Sequence, residues 1–145
     1  MTTNTVTHLE CTVCGASYQP EPGRYTCDAC GEAGTLDVRY DYEAVARNLN
    51  QESLGANRDT SMFRYRPLLP ISPDAAAPPL SVGGTPLVHA PRLASAVGVR
   101  SLWIKDDGRQ PTASLKDRAS AIAVMKAREE GAAIITTAST GNAAA

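Results

Sequence analysis

The residues of this chain best suited by type and spacing to chemistry are its four cysteines, which form two Cys-x-x-Cys pairs, each followed by glycine. The two-residue gap lets both sulfurs of a pair face one ion, and the glycine supplies the left-handed backbone that such a knuckle tends to need. Four thiolates around one tetrahedral ion are typical of a closed, structural zinc site. We therefore predict zinc bound by Cys11, Cys14, Cys27 and Cys30.

Other interpretations of this cluster stay open. The cysteines could form two disulfides, could merely pack together, or could share a metal with His8. Residues 1–10 are polar and lack the layout of a secretory signal, which predicts a cytoplasmic protein. That compartment keeps thiols reduced and favours metal over disulfides. Such a module can also bind nucleic acid, but Arg24 is the only cation in residues 16–26, which favours a structural role.

A lysine at the start of a predicted helix is the second candidate for chemistry. Ser114 is a suitable N-cap, and Asp117 three residues later is its capping-box partner. Lys116 then falls in the first helical turn, where the helix dipole disfavours a cation. The same field would lower the pKa of this lysine and favour the neutral amine that attacks an aldehyde. The alternative is a solvated surface lysine beside Asp117.

The surrounding motif carries a family resemblance. Residues 105–118, KDDGRQPTASLKDR, resemble the cofactor-lysine motif of threonine synthases, which are fold-type II pyridoxal-phosphate (PLP) enzymes related to the tryptophan synthase β chain. FRYRPLLP at 63–70, GGTPL at 83–87 and STGN at 139–142 resemble three further family segments in the same order. A cysteine-knuckle module before these segments is a feature of one threonine synthase branch. The resemblance covers nearly the whole chain.

The resemblance implies a role for each matching residue. Lys116 would carry PLP as a Schiff base and act as the base at the substrate α carbon, while Asn142 would hydrogen-bond the pyridoxal 3-oxygen. The substrate would be held by two loops, through Ser139, Thr140 and Gly141 at its carboxylate and through Lys105 and Arg109 at its phosphate. For Arg109 a solvated loop charge is the alternative. The sequence departs from the family pattern at Asp107, Gln110, Ala113 and Leu115, where Glu, Asn, Gly and Phe are more usual.

The implied activity is that of a PLP-dependent lyase in threonine biosynthesis, with PLP and structural zinc as cofactors. It would convert O-phospho-L-homoserine and water to L-threonine and phosphate. A cysteate synthase, a threonine or serine dehydratase, or a zinc-ribbon module with a non-catalytic remnant are the alternatives. Because the loop that binds the PLP phosphate is expected beyond Ala145, we expect these 145 residues alone not to be a competent enzyme.

The elements that must position these residues form an α/β protein. We expect a zinc-ribbon-like β module over 1–40, an irregular connection over 41–84, and over 85–145 the start of a tryptophan synthase β-like, three-layer αβα domain. Asp41 is the expected N-cap of a helix over 42–49, and further helices are predicted over 91–97 and 114–130. Buried strands over 101–104 and 133–137 would complete a parallel βαβ unit, and residues 139–142 would turn into another helix.

Composition narrows the partners. The net charge of the chain is -1, and aromatic residues make up 5%, so it has neither the field nor the stacking rings of a typical nucleic-acid binder. Hydrophobic residues at 43% and charged residues at 20% are ordinary for a globular protein, and no apolar run approaches a membrane span of about 20 residues. We therefore expect a small amino-acid substrate and no nucleic-acid or membrane partner, and we leave a homo-oligomer open.

Overall fold

The structure, a computed structural model, describes residues 5–139 and 141–144 and shows a mixed α/β arrangement. Its strands are β1 Val6–Cys11, β2 Ser17–Tyr18, β3 Thr26–Cys27, β4 Gly31–Tyr40, β5 Leu87–His89 and β6 Trp103–Lys105. Its α-helices are α1 Tyr42–Asn48, α2 Gln51–Ala56, α3 Pro91–Ala96 and α4 Asp117–Glu129, and 3-10 helices span Met62–Leu68 and Asp107–Arg109. Within this described part, no helix is both long and apolar enough to cross a membrane.

The first four strands form one antiparallel sheet in the order β2-β1-β4-β3. Its centre is the β1–β4 pair, in which Leu9 lies opposite Val38 and Cys11 opposite Leu36. The predicted β character of the first 40 residues is therefore confirmed from residue 5 onward. The domain boundaries at 40 and 84 stay a prediction.

Helices with a strong local start signal lie where the sequence predicts them. Asp41 accepts a hydrogen bond from the Ala44 amide at 2.9 Å and caps α1. Pro91 opens α3 at its first turn. The stretch predicted to be irregular is more ordered than expected, because Asn50 and Ser53 form a reciprocal capping box that starts α2.

The predicted parallel βαβ unit is wrong for the described residues. Strand β6 pairs antiparallel with β5, and it is exposed rather than buried, with Trp103 55% accessible. Residues 133–137 are not a strand, and Ile134 is 80% exposed. A strand needs a partner for its backbone hydrogen bonds, and no strand in the described part of the chain pairs with this segment. Residues 141–144 form a turn in which the Ala144 amide donates to the Gly141 carbonyl at 3.0 Å, rather than the start of a helix.

The hydrophobic core joins the 3-10 helix Met62–Leu68 to α4. The buried members of this cluster are Met62, Phe63, Ile71, Val82, Ala121 and Met125. Met62 donates its amide to the Val82 carbonyl at 2.8 Å, which brings its backbone against the Gly83-Gly84 turn. A Cβ on Gly83 would lie 2.4 Å from the Met62 nitrogen, so only glycine permits this approach.

We predict that Gly83→Ala destabilises the chain more than Gly98→Ala. Both glycines have left-handed backbone, with φ +98° and φ +74°, so each alanine carries a conformational cost of about 1–2 kcal/mol. Gly98 has nothing within 4 Å of the added Cβ, whereas at Gly83 the Met62 backbone must also move. Urea unfolding measures both losses. Equal losses would show that the Met62 contact contributes nothing.

Candidate functional site

The loop that carries Lys116 is tied down by an arginine–aspartate pair. Arg118 donates from Nε and Nη2 to the two carboxylate oxygens of Asp107, at 3.0 and 2.9 Å. Thr85 donates its hydroxyl to the same carboxylate at 2.7 Å and lies 3.3 Å from Arg118 Nη2. The Arg118 hydrogen bonds, followed by that of Thr85, hold the pKa of Asp107 well below its usual range. The pair therefore joins the GGTPL turn, the start of the motif and helix α4.

A second carboxylate closes the loop just before Lys116. Asp117 accepts hydrogen bonds from the Thr112 amide at 2.8 Å and the Thr112 hydroxyl at 2.5 Å. The predicted capping box is therefore wrong, because this carboxylate is already used by Thr112. Helix α4 begins at Asp117, and Lys116 occupies the N-cap position rather than the first turn. Ser114 still stabilises the backbone just before the helix, because its hydroxyl accepts a hydrogen bond from the Lys116 amide at 3.2 Å.

Lys116 and Asn142 line the same cleft. The cleft has a volume of about 270 Å³, and its other lining residues are Asp107, Gly108, Ala113, Ser114 and Leu115. Ligand pockets usually measure about 300–1,000 Å³, so this space suits part of a cofactor better than a whole one. The Lys116 amine and the Asn142 amide are suited by type to the aldehyde and 3-oxygen end of PLP. These two residues would hold that end of the cofactor.

The predicted substrate residues that the structure describes, Ser139, Gly141, Lys105 and Arg109, lie outside the lining of this cleft. The Ser139 hydroxyl accepts from the Gly141 amide at 3.1 Å and lies 3.0 Å from the Gly141 carbonyl, which makes a tight local turn. Thr140 falls outside the described residues. The Lys105 ammonium donates to the Thr85 carbonyl, and the Arg109 side chain is exposed and makes no ion pair among the described residues.

Sequence reasoning missed the residues that hold the site together. Thr85, Asp107 and Arg118 stand inside the quoted motifs, but the motifs alone do not indicate their positioning role. Gln110 is a further case, since it is 4% exposed and accepts from the Gly83 amide at 3.0 Å. A buried polar side chain usually has a hydrogen-bond partner, and here that partner lies in another motif. Burial cannot be read from one sequence, so this contact could not be predicted.

Ala113 has a backbone strain that the family pattern would avoid. Its φ is +59°, and it is the only described residue other than glycine with a positive φ. The more usual glycine has no such penalty. This departure therefore places a strained residue in the lining of the cleft.

We predict that Ala113→Gly raises the free energy of unfolding by about 1 kcal/mol, because it removes the left-handed cost of the methyl group. Ala76→Gly is the matched control in an exposed loop, and we expect it to lower stability by about 0.4–1 kcal/mol through the unfolded chain. Urea midpoints measure both. A loss at position 113 similar to that at position 76 would contradict the strain.

The four predicted cysteine ligands form one compact cluster. Their sulfurs all lie within 4.8 Å of one another, and Cys14 Sγ is 3.6 Å from Cys27 Sγ. Zn–S bonds of about 2.3 Å place tetrahedral sulfurs about 3.8 Å apart, so the spacing fits zinc. All four cysteines are free thiols, which disfavours the disulfide alternative. His8 is not in the cluster and hydrogen-bonds Thr7 at 2.9 Å.

The backbone around the cluster is shaped for this approach. A Cβ on Gly34 would lie 2.6 Å from Cys30 Cβ, 2.7 Å from Cys27 Cβ and 3.1 Å from Cys11 Sγ. Strand β4 therefore reaches the sulfurs only because residue 34 has no side chain. A glycine inside a strand is a known mark of close backbone approach, and this signal was available in the sequence.

The thiols of the cluster differ in acidity. A hydrogen bond from Tyr18 lowers the pKa of Cys27 to about 6. Hydrogen bonding with Cys14 and then burial raise the pKa of Cys30 to about 12. Without a cation, several thiolates this close cannot all be charged, because like charges disfavour ionisation. A divalent ion would remove that conflict, so the donor set fits zinc.

Comparison with known proteins places the residues of the cleft within a family of PLP enzymes. Residues 79–145 match the family described as pyridoxal-phosphate dependent enzyme. The chain is 39% identical over 138 residues to the threonine synthase of Methanosarcina acetivorans, covering 95% of this chain and 32% of that protein. It is 36% identical over 135 residues to the threonine synthase of Methanocaldococcus jannaschii, covering 93% of this chain and 32% of that protein.

A third relative matches only part of the chain. The threonine synthase of Synechocystis is 46% identical over 83 residues, which cover 56% of this chain and 22% of that protein. The chain thus spans about a third of the length of the first two relatives and less of the third. No solved structure matches it. The family match contains the whole Lys116 loop and Asn142, so residues 79–145 are similar to the pyridoxal-phosphate-dependent enzymes.

Proposed function

We propose that this chain supplies the cofactor lysine of a threonine synthase, which converts O-phospho-L-homoserine and water to L-threonine and phosphate. The observation that carries the proposal is the single cleft lined by Lys116 and Asn142, which come from separate motifs. The relatives that cover nearly the whole chain support this reaction over those of other PLP enzymes, because they bear the threonine synthase name.

The chemistry follows from the residues at the cleft. When bound, PLP supplies the electron sink that makes proton removal from amino-acid carbons feasible. Lys116 holds the cofactor and then moves protons at the substrate α carbon through its amine. Asn142 orients the ring by its amide. The Asp107–Arg118 pair keeps the loop fixed, so that the lysine amine needs little reorganisation to reach its target.

Substrate contacts come from the surrounding loops. We assign the carboxylate to Ser139, Thr140 and the Gly141 amide, which requires the Ser139–Gly141 hydrogen bond to exchange for one to substrate. Arg109 follows Asp107 and Gly108 of the cleft wall and is exposed, so it suits the substrate phosphate. The case for Lys105 is weaker because its ammonium is hydrogen-bonded to the Thr85 carbonyl.

We further propose that the cysteine cluster binds one structural zinc ion. The cluster offers four sulfur ligands, enough to complete the tetrahedral shell of one ion without water. Such a closed shell is typical of structural sites. In this role the metal holds Cys11 on β1 and Cys27 on β3 at one end of the sheet. The predicted cytoplasmic location would keep these thiols reduced.

The activity is tested on the full-length protein, incubated with PLP and O-phosphohomoserine. We expect release of phosphate and formation of threonine, and a loss of about 100- to 10,000-fold in Lys116→Ala. Lys126→Ala is the control on the same helix, where the lysine pairs with Glu129 at 3.1 Å. Borohydride reduction followed by peptide mapping should place the pyridoxyl label on Lys116. Full activity in Lys116→Ala would overturn its role, and faster turnover of O-phosphoserine with sulfite would favour a cysteate synthase.

The metal is tested by elemental analysis of the purified chain. We expect about one zinc per chain, lost in Cys27→Ser because a hydroxyl is a poor fourth ligand for this ion. His8→Ala should keep the zinc, because His8 lies outside the cluster. A chain with free thiols and no zinc would contradict the site.

A further inference from the structure

A tyrosine hydroxyl contacts the cysteine cluster from outside. Tyr18 on β2 places its hydroxyl oxygen 3.1 Å from Cys27 Sγ. The Asp28 amide donates to the same oxygen at 3.1 Å. A phenol has one proton to give, and the amide uses an oxygen lone pair, so the hydroxyl proton is free to point at the sulfur. The geometry is that of a hydrogen bond donated to a ligand atom.

The tyrosine ring is itself held in place. The Arg24 guanidinium carbon lies 4.8 Å from the centre of the Tyr18 ring, over its face. Arg24 also pairs with Asp28 at 3.1 Å and with Glu21 at 3.7 Å. A cation over the ring draws electron density from the phenol and makes its hydroxyl a better donor. The loop between the two cysteine pairs thus orients one side chain toward one sulfur.

The contact differs from the backbone hydrogen bonds in the cluster, which Cys27 also receives from Ala29 and Cys30. Cys11 Sγ accepts from the Val13 amide at 3.4 Å, a bond that any residue at position 13 except proline would supply. The hydroxyl bond to Cys27 depends on the identity of residue 18. Cys27 is only 1% exposed, so water cannot readily replace a missing hydroxyl.

We propose that Tyr18 is a positioning residue for the metal, whose hydrogen bond fixes the Cys27 thiolate and slows loss of the ion. The proposal rests on the zinc site proposed above. Outer-shell partners orient metal ligands and stabilise their charge, and their removal typically lowers metal affinity about 10- to 100-fold. The structure assigns this role to the side chain of one residue in the loop.

The test compares Tyr18→Phe with Tyr25→Phe, a tyrosine in the same module that is 72% exposed. Phenylalanine keeps the ring under Arg24 and removes only the hydroxyl. Zinc affinity is measured by competition with a chromogenic chelator, and the release rate is followed by stopped flow. We expect Tyr18→Phe to bind zinc about 10- to 100-fold more weakly and to release it faster, with Tyr25→Phe equal to the unsubstituted chain. Equal affinity in both variants would overturn the proposal while leaving the zinc site intact.

A second measurement tests the proposal even if Tyr18→Phe does not fold. Incorporation of 3-fluorotyrosine at position 18 leaves the hydroxyl in place and makes it a stronger donor, so zinc release should slow. Release that is unchanged or faster would overturn the proposal. If the unsubstituted chain takes up no zinc, the metal site fails first, and Tyr18 loses its role with it.

Discussion

The bidentate pair between Asp107 and Arg118 is the contact on which the candidate cofactor site depends. It joins the first turn of α4 to the start of the loop, and Thr85 adds the preceding motif to the same carboxylate. Because the pKa of Asp107 is lowered in the folded state, its ionised carboxylate stabilises the fold at pH values above the usual aspartate pKa. This stabilisation is lost as the pH falls through the lowered pKa of the folded state. Near neutral pH the tie is therefore fully charged, and Lys116 is held between two fixed ends.

Motif residues divide into those at the cleft and those that hold the backbone. Lys116 and Asn142 line the cleft, whereas Gln110 and Arg118 are used in contacts between segments. A charged residue in a family motif is therefore not by itself a ligand. Lys105 illustrates this, since its ammonium is hydrogen-bonded to a backbone carbonyl. The segments at 83–87 and 105–118 hold each other in place through hydrogen bonds, among them those of Thr85 with Asp107 and of the Gly83 amide with Gln110.

The sequence predicts features with local causes better than features with distant ones. The N-cap of α1, the proline in the first turn of α3 and the clustering of the spaced cysteines have local causes, and all three are found. The antiparallel pairing of β5 with β6 depends on residues far apart, so a rule for parallel βαβ units missed it. The predicted start of α4 is wrong for another reason. Ser114 and Asp117 have the residue types of a capping box, but the Asp117 carboxylate accepts hydrogen bonds from Thr112 instead. Local patterns cannot rank two partners that both lie within reach.

The cysteine module and the Lys116 loop are connected through the 3-10 helix Met62–Leu68. The Thr5 hydroxyl donates to the Pro67 carbonyl at 2.5 Å, which joins the strand end before β1 to the 3-10 helix Met62–Leu68. That helix rests on the Gly83 turn, and the turn leads to Thr85 and the Asp107 carboxylate. Each hydrogen bond along this path contributes about 1 kcal/mol, so the module supports the loop only modestly. A structural metal suits this arrangement, because the sheet has only to present a fixed edge to the residues that hold Lys116.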